Sequence, residues 1–295
     1  MTVARIALVT GANQGLGFAL AAGLAARLGP DDLVLLTGRN AQRVADAASR
    51  VAEAPATRSR VEGRVLDVSD ADAVARAAAE LRARYGGVDI VVSNASAMLT
   101  PDLTQAEQAD AFIGVANGGA HAVLRSFGPV LRPGGRLLVV ASSLGTLGHL
   151  DPPLRPLFDG ASLDEVEKVV ASWLAAIRAG TSEESGWPQW INVPSKVAQV
   201  AAVRAVAAER RAADLAQNTL IAAVCPGLVD TPLSRPWFAD FSHAQTPAQA
   251  AVAVLDLLLA ERVDPATYGE LVRFGEVVPW REGTPPAHQE RLLSN

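Results

Sequence analysis

The chain has 295 residues, 49% hydrophobic and 19% charged, with a formal net charge of −5. That length can hold one large α/β domain or two small ones, the composition leaves ample core, and the charge excludes a basic footprint for nucleic acid or an anionic membrane surface. A single cysteine, Cys225, excludes an internal disulfide, which together with the lack of a charged-then-apolar leader or a membrane-length apolar run predicts a cytoplasmic protein.

Residues 6–9 are an apolar, partly β-branched run that predicts a short buried strand. The run passes into Thr10-Gly11, then Gly15 and Gly17, and then a helical pattern of Leu16, Leu20, Leu24 and Leu28. Strand, glycine turn and helix in succession is the setting of a dinucleotide site. The glycines let backbone approach a pyrophosphate, and the helix start offers free N–H groups and partial positive charge. Further strands are predicted at 32–36, 61–66, 88–93, 136–141, 219–224 and 270–274. Helices are predicted at 42–54, 70–85, 104–132 with a break near Pro129, and from 195 to about 212. This alternation predicts right-handed βαβ units and a doubly wound, parallel α/β sheet of Rossmann type. No repeat or linker divides it, so one domain over 1–295 is expected.

One segment, about 149–187, departs from the alternation. It opens with Pro152, Pro153 and Pro156 and then carries the capping-box pattern Ser162-Leu163-Asp164-Glu165. Val166, Val169, Val170, Trp173, Leu174 and Ile177 follow at helical spacing before Gly180. Such a helix either patches the body of the domain or walls a substrate cleft, and one helix can do both. No His, Cys or Asp spacing suggests a metal.

The loop reads T-G-x-x-x-G-x-G, and with its flanks it resembles the short-chain dehydrogenase/reductase family. The resemblance implies that Gly11, Asn13, Gln14, Gly15, Leu16 and Gly17 cradle the cofactor phosphates. It sets Asp67-Val68 beside the adenine, Asn94-Ala95-Ser96 where the family usually has N-N-A-G, and Pro226-Gly227 with Val229 and Thr231 on the nicotinamide carboxamide. The second strand ends in Arg39 where an NAD site carries an acid, and Arg43 lies one helical turn on. A guanidinium there can pair with a 2′-phosphate, so NADP(H) is the expected cofactor. Asn117 matches the asparagine that holds a relay water. Ser142, in S-x-x-G through Gly145, matches the substrate-orienting serine, with Ser143 the fallback, and Lys196 matches the lysine on the nicotinamide ribose. The insertion closed by Gly186-Trp187-Pro188, and the ending from Gly269 to Trp280, look like the monomeric carbonyl reductases and their plant relatives. That subgroup implies a monomer acting on a small molecule, and the 231–245 stretch as a substrate loop. The arginine and alanine bias suggests a GC-rich bacterial source.

The family motif Y-x-x-x-K is broken, because Asn192 stands four residues before Lys196. The only tyrosines are Tyr85 and Tyr268, placed at a helix end and before the last strand. A phenol beside an ammonium can exchange a proton near neutrality, whereas an amide can only donate a hydrogen bond to a developing oxyanion. Four readings follow. The first is a reductase whose substrate needs no acid, an iminium or an activated alkene. The second is an altered carbonyl reductase that uses water or the Lys196 relay. The third is a protein whose tyrosine was deliberately replaced, and the fourth a non-redox member that keeps the fold and NADP(H). His149, just past Ser142, is a further cleft candidate, while Trp190 and the 233–241 stretch are candidate pocket walls.

Overall fold

In the computed structural model, which describes residues 4–282, the N-terminal apolar run becomes β1 (Ile6–Val9), buried along its whole length. It is followed by α1 (Gly15–Arg27), β2 (Leu33–Gly38), α2 (Ala41–Ala52), β3 (Arg60–Val65), α3 (Ala71–Tyr85) and β4 (Val88–Ser93). β1 pairs in parallel with β2 on one side and β4 on the other. The chain therefore reverses its direction of travel across the sheet beside β1. In an open parallel sheet that reversal leaves a crevice at the carboxyl ends of the strands.

The predicted 104–132 helix is three pieces. α4 (Gln105–Ile113) opens on a Thr104/Glu107 capping box, a π-helical turn spans Gly114–Gly118, and α5 (Gly119–Phe127) follows. Gly119 lies so close to Val68 that an added Cβ would come within 2.6 Å of the valine Cγ2. The wide turn lets the helix meet the loop after β3. β5 (Leu131–Val140) starts earlier than predicted, because residues before Arg136 join the ladder through a register shift against β4. α6 (Leu163–Ala179), α7 (Asn192–Ala216), β6 (Leu220–Cys225), α8 (Pro247–Leu259), β7 (Leu271–Arg273) and β8 (Glu276–Val278) complete the chain.

The eight strands run in the order β3-β2-β1-β4-β5-β6-β7-β8, and only β8 is antiparallel. α1 packs against α2 and α8, and α5 packs against α3 and α7, so helices cover the sheet in two groups. α8 and β8 were absent from the sequence-based expectation, and α7 begins three residues earlier, with Pro194 harmlessly in its first turn.

α6 forms as predicted, with its Ser162/Glu165 capping box and a left-handed Gly180 at its end. Its buried stripe lies on α4 and α7. Arg125 pairs with Asp164 and Glu167, and Arg178 with Asp110. The helix patches the body of the domain, and the segment after it leads to the crevice. There Trp187 packs on Trp173 and Phe158, with ring centroids 5.6 and 6.2 Å away. The end of the described chain fastens these parts together. The Trp280 carbonyl accepts from Leu147 N, its indole donates to Asp159, and Arg281 pairs with the same carboxylate.

Candidate active site

The glycine loop is built by close approach. Gly11 has φ +61°, and a Cβ there would lie 2.7 Å from Ala95 Cα. A Cβ at Gly17 would lie 2.5 Å from both Asn94 Nδ2 and Gly11 O. Any side chain at either position must displace backbone. Asn94 Nδ2 donates to the Thr10 and Gly11 carbonyls at 3.0 and 3.2 Å. The Thr10 hydroxyl accepts from Asn94 N and Ala95 N at 2.9 and 3.0 Å. Thr10 therefore pins the post-β4 segment, including Ser96, to the loop. It was not among the predicted site residues, although the T-G pair carried the signal. Gln14 precedes α1 without capping it, and no acid occupies the first helical turn, so Gly15, Leu16 and Gly17 present an uncovered helix start. These features fit a dinucleotide phosphate: the cradle exists only because two Cβ atoms are missing.

Around the loop the remaining cofactor candidates collect at carboxyl ends of strands. A Cβ at Gly38 would lie 3.0 Å from Asn13 Oδ1, so Asn13 bridges from the glycine loop to the end of β2. Arg39 and Arg43 are exposed there, and Asn40 caps α2 by accepting from Arg43 N at 2.9 Å. Asp67 accepts from the Ser69 hydroxyl and N–H at 2.7 and 3.0 Å, and those bonds hold its carboxyl below the usual carboxylate range. Val68 is buried against α5. Beyond β6, Gly227 takes φ +82°, and a Cβ at Gly15 would lie 3.6 Å from Thr231 Cγ2. The Pro226 turn thus reaches the glycine loop. Ser234 donates to the Val229 carbonyl, and Thr231 N donates to Ser234 Oγ at 3.1 Å. Gln245 closes the base of the 231–245 loop, accepting from Asp230 N at 2.8 Å.

The reaction-side candidates meet at the start of α7. Asn117, in the π-helical turn and fully buried, donates to Ser195 O at 2.9 Å and accepts from Ser195 Oγ at 2.7 Å. Its amide clamps the helix kink to the residue before Lys196. The Ser142 turn, closed by Gly145 N donating to Ser142 O at 2.9 Å, lies on the same helix. A Cβ at Gly145 would come within 2.9 Å of Lys196 O. Ser142 Oγ accepts from Leu144 N at 3.3 Å.

Lys196 Nζ donates to Gln199 Oε1 at 2.8 Å, and burial pulls the ammonium down to about 8. Gln199 was not anticipated, since a glutamine on a helix carries no signal of its own. Asn192 is half-buried one turn before Lys196, and its side-chain amide has no hydrogen bond among the described residues.

Neither tyrosine takes the vacant role. The Tyr268 hydroxyl donates to Asp214 at 2.6 Å, and burial with that carboxylate raises it above its ordinary value. Asp214 lies near the far end of α7, roughly 33 Å from Asn192 at helical rise. Tyr85 ends α3 on the opposite edge of the sheet, where Arg132 donates to its carbonyl. His149 shares a 2.9 Å hydrogen bond with Thr146, and burial lowers its pKa. Trp190 and Trp237 face each other, centroids 5.4 Å apart, and Trp237 donates to Leu99 O at 3.2 Å. The post-α6 segment and the 231–245 loop thus meet over the crevice. Among the described residues there is no His, Cys, Asp or Glu group able to hold a metal, and no helix long and apolar enough to cross a membrane.

A crevice at the strand ends, with a glycine cradle and a lysine beside a serine turn, marks a doubly wound α/β fold of Rossmann type. The family described as short chain dehydrogenase matches residues 5–151, from β1 past the Ser142 turn. Over 96% of each chain, the protein is 29% identical to carbonyl reductase [NADPH] 1 of Sus scrofa. Among solved structures, salutaridine reductase of Papaver somniferum superposes with TM-score 0.75 at 20% identity, covering 90% of this chain and 99% of its own. Menthone neomenthol reductase of Mentha piperita gives 0.73 at 23%, covering 93% and 100%.

Proposed function

We propose that this protein is an NADPH-dependent reductase of a small hydrophobic carbonyl, enone or imine, whose proton does not come from a tyrosine. The observation that carries the reading is the meeting of Lys196, the Ser142 turn and the unpartnered Asn192 at the crevice that holds the glycine cradle. The carbonyl reductase relatives support a nicotinamide cofactor and a small-molecule substrate, and Arg39 at the end of β2 supports the 2′-phosphate.

NADPH, when bound, supplies the hydride. The chain's own contributions follow from its donors. Gly11, Gly15 and Gly17 with the start of α1 bind the phosphates, and Thr231 holds the carboxamide end. Lys196 keeps two ammonium donors for ribose hydroxyls, because one is taken by Gln199. Ser142 Oγ, which accepts from Leu144, keeps its own hydrogen to donate to a substrate oxygen. Asn192 offers an N–H to the same developing charge but no transferable proton. Trp190 and Trp237 exclude water from one side of the cleft and suit an apolar, planar substrate. Closed packing of α6 on α4 and α7 favours a monomer.

The test is NADPH consumption at saturating cofactor against a panel of ketones, quinones, enones and cyclic imines. Turnover of imines or enones far above ketones is expected. No consumption of NADPH by any class, with NADPH bound, would move the protein to non-redox chemistry.

A further inference from the structure

We propose that Gln199 is a positioning residue for the Lys196 ammonium, tying it through an amide bridge to the kinked helix at Ala116. The inference rests on Lys196 facing bound NADPH. Gln199 is 3% exposed, one turn beyond Lys196 on α7. Its two polar ends are both taken, with Oε1 accepting from Lys196 Nζ at 2.8 Å and Nε2 donating to Ala116 O at 2.7 Å. The assignment of the amide is forced, because a carbonyl can only accept and an ammonium can only donate. The bridge ends in the π-helical turn that also holds Asn117, whose amide clamps the neighbouring Ser195. Two parallel links therefore fix the first turns of α7 to the kink.

Two consequences follow. A lysine stem carries about 2 kcal/mol of rotamer entropy; the bridge removes that freedom before any ligand arrives, which preorganises the ammonium. A neutral amide neither gives nor takes a proton near neutrality, so the bridge transmits orientation and not protons. The bridge occupies one of the three ammonium donors of Lys196 and leaves the other two for a ligand.

Lys196 has Lys168 as the only other lysine in the chain. Protein labelled with [ε-13C]lysine therefore gives two signals, assigned by Lys168→Arg. Cys225 at the end of β6 is the ionisable side chain whose charge bears on the ammonium, so the titrations are run in a Cys225→Ser background. No acid lies in the first turn of α7, and His149 in the loop after β5 titrates at lower pH. Gln199→Met removes the acceptor, and the Lys196 midpoint should fall by about one pH unit, with NADPH affinity about fivefold weaker. Gln199→Glu supplies a charged acceptor, and the midpoint should rise by about one unit or more. In the unaltered protein, the Gln199 side-chain N–H signals should shift with the Lys196 titration, which reads the bridge without any variant. Identical Lys196 midpoints in both variants, or Gln199 signals indifferent to that titration, overturn the proposal. Failure of the unaltered protein to bind NADPH overturns the proposed function instead, and leaves the lysine titration to decide the bridge.

Discussion

Replacing Asn192 with tyrosine tests whether proton donation is what the site lacks. Asn192 and Lys196 are four apart on α7, so their Cβ atoms stand about 5–6 Å apart on one face. The asparagine amide has no partner among the described residues, so its loss leaves no buried group stranded. Lys196 sits at about 8 and is largely an ammonium at pH 7. At ~6 Å and an effective dielectric of about 20, that charge favours a phenolate by roughly 3 kcal/mol. This would bring a phenol from about 10 to about 8, within reach of general acid work. A positioned acid contributes roughly 10²–10⁴ in rate. We expect the lower end, since the Gln199 bridge gives the phenol no proton-conducting path behind it. The assay is NADPH oxidation with a simple aryl ketone, the unaltered and Asn192→Tyr proteins run side by side with NADPH affinity. A rise of about a hundredfold in kcat, with the imine rate little changed, is expected. An unchanged ketone rate, with fold and NADPH affinity intact, refutes the reasoning and places the defect elsewhere in the cleft.

Two further outcomes follow from the geometry. Arg39→Asp should weaken NADPH binding by roughly ten- to a hundredfold while leaving NADH equal or better, as loss of a charge-assisted pair implies; equal losses for both cofactors would remove Arg39 from the 2′-phosphate. His121 is buried on α5, Nε2 unpartnered among the described residues, and burial, with Arg125 nearby, pulls it from 6.5 to about 4. Between those values the unfolded chain binds a proton that the folded chain refuses. Its contribution to stability is therefore full above 6.5 and is lost as pH falls towards 4, roughly 3 kcal/mol in all. Urea midpoints across that range should flatten in His121→Phe, and parallel curves would exclude the histidine as the cause.

What could be read from the chain was what the backbone alone dictates. β1 is a continuous apolar run and β4 an apolar run interrupted only by Asp89 before its closing Ser93, and their ends were located to the residue. α6 announced itself by its capping box and closing glycine. α8 was missed although Thr246 and Gln249 form the same kind of box; its alanine-rich start gives little amphipathic contrast. β8 was missed because three residues on a sheet edge carry no period, and its turn uses left-handed Phe274 and Gly275. In the site, glycines and strand ends were legible because they answer to backbone geometry. Gln199 was not, because its importance lies in a partner 83 residues away, and Thr10 was passed over although the T-G pair marked it, because its bonds reach 84 residues along the chain. The 104–132 helix failed for a related reason: the wide turn answers to Val68 and Ser195, which no local pattern encodes.

The fastening of Leu147 and Asp159 by Trp280 and Arg281 bears on how the protein is made. Synthesis proceeds at about 5–20 residues per second, so Leu147 leaves the ribosome roughly 7–27 seconds before the residue that holds it. The glycine cradle, built from β1, β4 and α1, can close early in that interval. The segment from Leu147 to Asp159, just past the serine turn, cannot be fastened until the chain has passed β8. A nascent or C-terminally clipped chain can therefore hold the glycine cradle while the 147–159 segment is still unfastened.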